Sequence, residues 1–351
     1  MREEKVFFPL DFIKVIAVLI IILFHFLSSV ENGQLLYDPN VYKIGNISLL
    51  NLGGVNIALG NYGISLLFIS AGMSLMYAYQ NKMDLREFYE RRLLAIYPLY
   101  YVTFIMASFF QVFLGYRLNE RAPLWTLVWT VLGIDNWIGE FAPTYGLIGD
   151  GFLSCLIFIY VLFPILYKCM NKNPHITIGI YALIFLLWEY VYPFDFPKTY
   201  SIILRTFEVL LGIYIIKTGR RITWRGVFIS VLLLGVIFVV KVPFISTYFL
   251  ATIAGISLTV LLCCIAEKIK SGRIQRIIIW LKRYSFATFL IHHFLLNVIL
   301  KNMPKRSLTV SGMLTLFLVY MSVIWLAGVV LKKIEINLMD DSTIKKVFKY
   351  Q

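Results

Sequence analysis

Runs of roughly twenty apolar residues recur along the whole chain, and no other feature restricts its fold so sharply. They fall near 8–30, 60–80, 93–116, 122–138, 149–168, 174–192, 199–217, 225–241, 246–265, 284–301 and 308–332. A helix of about twenty residues crosses the hydrocarbon core of a bilayer. Backbone N–H and C=O groups have no water there, so only helices and closed barrels are viable. A barrel needs alternating segments of about ten residues, and those are absent. Of the 351 residues, 60% are hydrophobic and 15% charged, with a mean hydropathy of +0.79. A soluble domain could not hide that much apolar surface. The expected class is an all-α polytopic membrane protein forming one integral-membrane domain over residues 1–351. The first run is too long for a signal-peptide core and lacks a small-residue cleavage site after it, so it is expected to remain as a span. No internal repeat is visible, which gives an inverted-repeat transporter no support.

The basic residues set the expected topology. Cytoplasmic loops favour Lys and Arg. If all eleven runs crossed, Lys168, Lys172, Lys217, Arg220, Arg221 and Arg225 would fall outside. If 122–138 does not cross, 23 of the 33 basic residues lie inside and 8 outside, with Lys14 and Arg205 within spans. The asymmetry favours about ten transmembrane helices with both termini cytoplasmic. It also accounts for the net charge of +14 without nucleic acid. The segment at about 118–148 then sits on the outer side. Its Trp125, Trp129, Trp137 and Tyr145, with Asp135 and Glu140 among them, suit one re-entrant or interfacial helix. The four cysteines, Cys155, Cys169, Cys263 and Cys264, lie in or beside apolar runs without metal-ligand spacing and are expected to be buried thiols. No metal is expected.

Ionisable residues at membrane depth are costly and tend to mark function. In LDFIKVIAVLIIILFHF, Lys14 and His25 are eleven residues apart. That is about three helical turns, so both lie on one face, roughly 16 Å apart along the axis. Taken singly, Lys14 could snorkel to the interface and His25 could be interhelical packing glue. Together they place a cation at the cytosolic end of a helix face and a titratable base deep within it. Arg205 and Glu208, spaced i, i+3, are expected to neutralise each other. Glu189 lies near an outer end and is expected to reach water. Asp150, between two glycines, either caps a span or helps to bind an acceptor. Arg91 and Arg92 serve topology or grip phosphate through their guanidinium forks.

Six stretches, in order, resemble the acyltransferase 3 family of integral-membrane acyltransferases. They are LDFIKVIAVLIIILFHF, NYGISLLFISAGMSL, FYERRLLAIYPLY, GFLSCLIFIYVLFPIL, RTFEVLLGIYI and RYSFATFLIHHFLL, and they cover nearly the whole chain. The resemblance implies the ten-span topology and an acyl-CoA donor, with acetyl-CoA expected. It implies an acceptor hydroxyl on a cell-surface polysaccharide or its lipid-linked precursor. It carries a catalytic role to His25 and a donor-binding role to Lys14, Arg91 and Arg92. His292 matches the family's late-span histidine, while His293 beside it matches nothing in the pattern. Two positions depart: Lys14 stands where the family has Arg, and Ala95 where it often has a further Arg. Lysine keeps the charge but not the planar fork.

The expected function is therefore O-acyl transfer, in a bacterial cytoplasmic membrane to judge from the Lys-, Ile- and Phe-rich composition. Imidazole suits a general base because its ordinary pKa is near neutral. General-base transfer and an acyl-histidine intermediate both remain open. His292, Asp150 and Glu208 are candidates for holding the acceptor. A transporter or flippase for lipid-linked sugars, with His25 as proton relay, is the alternative; a structural or sensor protein is a third. Partners expected are acyl-CoA, the acceptor and the bilayer, with an oligomer possible.

Overall fold

The computed structural model describes residues 8–31, 43–44, 47–48, 51–52, 57–80, 82–115, 122–149, 151–193, 198–219, 222–239, 245–303 and 309–339. Among these, twelve α-helices follow one another: α1 Phe8–Glu31, α2 Leu59–Ala78, α3 Leu85–Phe113, α4 Leu127–Leu132, α5 Asp135–Ile138, α6 Gly151–Lys172, α7 Pro174–Val191, α8 Ile202–Thr218, α9 Trp224–Val239, α10 Thr247–Lys268, α11 Gly272–Asn302 and α12 Val310–Leu338. Two antiparallel ladders of two-residue strands lie between α1 and α2. The architecture is that of an all-helical polytopic membrane protein. Eight helices, α1, α2, α3, α6, α7, α10, α11 and α12, are long and apolar enough to cross a bilayer. α8 has 17 residues and α9 has 16. At 1.5 Å per residue these reach about 26 and 24 Å, short of a core of about 30 Å. Eight helices of crossing length thus stand against the ten expected, with α8 and α9 at the positions of the other two.

Three spans begin or end further out than the apolar runs suggest. α3 starts at Leu85 because Asp84 caps it, accepting from the Glu87 backbone N–H at 2.9 Å. Arg91 and Arg92 therefore lie inside the helix. α11 starts at Gly272, so Arg273, Arg276, Lys282 and Arg283 form its first turns. α12 continues to Leu338 and buries Lys332 against Glu335 at 2.6 Å. Charge pairing carries these helices on where apolar content has ended.

α1 packs against α2, α10 and α11, and α2 packs against α8. A Cβ on Gly72 would collide with the Val209 carbonyl, and one on Gly212 with the Ile69 carbonyl. The α2 and α8 backbones therefore touch through two glycines, the small-residue contact that bilayer helices use to gain dispersion energy. α1 and α11 run parallel. Near their first turns Lys282 Nζ lies 3.6 Å from Asp11 Oδ1, and further along His293 Nε2 meets His25 Nδ1 at 2.9 Å.

The outer aromatic segment is not one helix. A 3-10 turn at Leu124–Thr126 leads into α4, Gly133 breaks the chain with φ of 71°, and α5 follows. Tyr97 and Tyr101, near the middle of the 29-residue α3, donate to the carbonyls of Leu132 and Val131 at 2.8 and 2.7 Å. The break therefore lies beside the middle of α3. Leu124, Trp125, Val128 and Val131 are exposed to the surroundings. Glu189 is buried rather than hydrated: Lys198 Nζ pairs with it at 2.9 Å and Ser246 donates to it. Of the thiols, Cys155 and Cys263 are buried, Cys264 is half-buried and Cys169 is exposed.

Candidate functional site

At the far end of α1 a cavity of about 500 Å³ opens between α1, α11 and the segment running from α5 to α6. His25 comes from α1, and His293 and Asn297, one turn apart, come from α11. The facing wall carries Asn136, Glu140, Thr144 and Tyr200. That wall is held by hydrogen bonds as well as by apolar packing of Trp137 against Phe141 and Phe158. Asn136 donates to the Ile148 carbonyl at 2.9 Å, and Trp137 Nε1 to the Tyr200 carbonyl at 3.0 Å. Gly149, with φ of 71°, donates its N–H to the Leu290 carbonyl at 3.0 Å and so ties the wall to α11 just before the histidines. Only a residue tolerating left-handed backbone fits there.

Asp135 anchors the same wall. Its carboxylate accepts from Thr130 Oγ1 at 3.2 Å and from the Asn136 N–H at 3.0 Å, and its carbonyl accepts from Thr144 Oγ1 at 3.1 Å. Burial pushes its carboxyl up to about 6, against those hydrogen bonds, which pull it down.

His25, His292 and His293 form one cluster. The ring of His25 lies 4.1 Å from that of His293 and 5.2 Å from that of His292, between centroids. His292 is fully buried, with Nδ1 2.5 Å from the Phe289 carbonyl, and its own carbonyl accepts from Tyr320 at 3.1 Å. A carbonyl cannot donate, so His292 Nδ1 carries the proton. One ligand atom from each histidine lies within 4.8 Å of the others, compact enough for a soft divalent ion. The 2.9 Å contact between His25 and His293 needs one proton between its nitrogens, however, and a metal ion would have to displace it.

Cations gather at the other end of the same helices. Lys14 is within electrostatic reach of Lys282, Asp11 and Arg92. Arg92 lies over the Tyr160 ring at 5.7 Å, and its Nε is buried without a hydrogen-bond partner among the described residues. A guanidinium nitrogen in that position can donate to an anion. Arg91 instead pairs with Glu87 one turn earlier.

The remaining expected site residues divide. Glu208 accepts from Arg205 at 2.9 and 3.1 Å, from Ser65 at 2.5 Å and from Thr252 at 3.2 Å, joining α2, α8 and α10 away from the cavity lining. His292 stands behind His25 rather than on the cavity wall. Asp150 lies outside the described residues, though Gly149 and Gly151 on either side line the cavity. Sequence reasoning missed Lys282, His293, Asn297, Asn136 and Tyr200. For two of these the signal was present: Lys282 and His293 are eleven apart on α11, repeating the Lys14–His25 spacing of α1.

Residues 9–332 match the model of a family described as an acyltransferase domain. A curated relative, acyltransferase MdmB of Streptomyces mycarofaciens, is 28% identical over 271 residues, covering 67% of this chain and 67% of the relative. No solved structure matches.

Proposed function

This chain belongs to the acyltransferase 3 family and is an acyltransferase, and from that premise we propose that it is a membrane-bound O-acyltransferase with His25 as general base. The donor is cytosolic acyl-CoA, with acetyl the expected group. The acceptor is a hydroxyl of a cell-surface polysaccharide or its lipid-linked precursor, lodged in the His25 cavity. The membrane is the bacterial cytoplasmic membrane, with the Lys14 end of α1 facing the cytosol.

One observation carries this reading: two parallel helices bear cations at one end and histidines lining a polar cavity at the other, roughly 16 Å away. Lys14, Lys282 and Arg92 would hold the donor's phosphates, with Arg91 beside them. The narrow pantetheine arm would lie along the helices and present its thioester at His25. The acceptor oxygen attacks the thioester carbonyl carbon, and its proton passes to the imidazole. The C–O bond forms, the C–S bond breaks, and the imidazolium returns the proton to the departing thiolate. Asn136, Glu140, Thr144, Tyr200 and Asn297 supply the polar edges and the aromatic face that sugars need.

The test is transfer of labelled acetyl from acetyl-CoA to surface glycan in membrane vesicles, with wild type and His25→Ala. Wild type should label the glycan by an alkali-labile ester, and a normally inserted His25→Ala protein should lose at least ~100-fold of the rate. Full activity in His25→Ala would refute the role of the base. Movement of a lipid-linked sugar without labelling would favour the flippase.

A further inference from the structure

We propose that His293 is a positioning residue for His25, fixing its tautomer through the contact between their rings. This rests on His25 being the general base. The sequence offers no precedent for His293 within the family pattern, so the assignment comes from geometry alone.

His293 Nε2 lies 2.9 Å from His25 Nδ1. Two nitrogens at that distance share one proton, and two arrangements are possible. In one, His293 donates, and His25 then carries its own proton on Nε2 and cannot accept another there. In the other, His25 Nδ1–H donates to the lone pair of His293, and His25 Nε2 is left as the basic nitrogen. Only the second arrangement is a competent base. His293 holds that arrangement in place, ready for an acceptor hydroxyl that donates to Nε2.

The same contact serves the charged state. Once His25 has taken the hydroxyl proton, its Nδ1–H still donates to His293, which shares the positive charge. The pair has the layout of a base held by an orienting group in a catalytic triad, with a neutral imidazole in place of the carboxylate. A neutral partner has a consequence at this depth. A carboxylate would add a fixed charge to a membrane interior, whereas a second imidazole adds none until a proton arrives. His292 Nδ1 is committed to Phe289, which leaves only its Nε2 to face the pair. Glu140 and Tyr200 are the other ionisable groups among the described residues that line the cavity.

Three forms of the full-length protein in vesicles test this: wild type, His293→Phe and His293→Gln. Phenylalanine fills the space but has no lone pair; glutamine offers a carbonyl oxygen near the position of Nε2. His293→Phe should lower kcat about 100-fold, with KM for donor and acceptor changed less than about threefold. His293→Gln should keep kcat within about fivefold of wild type. Nitrogen NMR of histidine-labelled wild-type protein in bilayers is the second measurement, and with four histidines in the chain the spectrum is assignable. His25 Nδ1 should resonate as a protonated nitrogen coupled across the hydrogen bond to an unprotonated His293 Nε2.

Equal losses in the two variants would make His293 packing and overturn the proposal, as would an unaltered kcat in His293→Phe. An unprotonated His25 Nδ1 would overturn it even if the phenylalanine variant did not fold. Each of these failures leaves the base role of His25 standing, because that role is tested separately by His25→Ala.

Discussion

Asp135 is a buried carboxylate outside the spans, and replacing it with Asn should make the protein more stable at neutral pH while flattening its pH dependence. The side chain is 1% exposed. Burial raises its carboxyl to about 6 in the fold, against about 3.9 in the unfolded chain. A folded value above the unfolded one means that the stabilising contribution is fully present below about pH 4 and is lost as pH rises through about 6. The difference of about two units corresponds to roughly 3 kcal/mol. Asn escapes that cost but forfeits part of the two hydrogen bonds to the carboxylate, each worth about 1–1.5 kcal/mol. The net gain at pH 7.5 is therefore about 1 kcal/mol, with Asn the weaker residue at pH 4.5. Thermal unfolding in nanodiscs, comparing wild type with Asp135→Asn between pH 4.5 and 7.5, checks this. The difference in Tm should change sign across the interval. A difference independent of pH would refute the reasoning, since it would mean that the carboxyl does not titrate between the two states. Because the Asp135 carboxylate also holds the backbone N–H of Asn136 in the cavity wall, the substitution should also raise KM for the acceptor.

Lys282→Gln should raise KM for acyl-CoA about fivefold with kcat little changed, and the effect should shrink at high salt, as for any phosphate contact made by a partly exposed ammonium. Gly72→Val or Gly212→Val should abolish stable insertion, read as loss of the monodisperse peak in detergent, because the new side chain collides with the backbone of the facing helix. Arg205→Met should cost about 3–5 kcal/mol by stranding Glu208, while the double variant Arg205→Met with Glu208→Met should recover much of that loss in thermal unfolding.

The sequence by itself determined that this is a helical membrane protein, since apolar runs of span length leave no other backbone solution. It also determined that Lys14 and His25 share a face, because helical period is a local property of consecutive residues. The family pattern was legible for the same reason: each motif lies within one helix. Which helices lie side by side is not local. Lipid-facing and helix-facing surfaces are both apolar, so the pattern that marks a buried face in water carries little information in a bilayer. That is why Asp11 and Lys282, or His25 and His293, could not be paired from the chain alone, although the eleven-residue spacing stands on both helices. The break at Gly133 was hidden likewise, since it is held there by tyrosines from α3. Glu208 read as a site candidate until Ser65, Arg205 and Thr252, from three different helices, were seen to satisfy it. The local physics wrote each helix; packing between helices decided which charged residues line a cavity and which meet only each other.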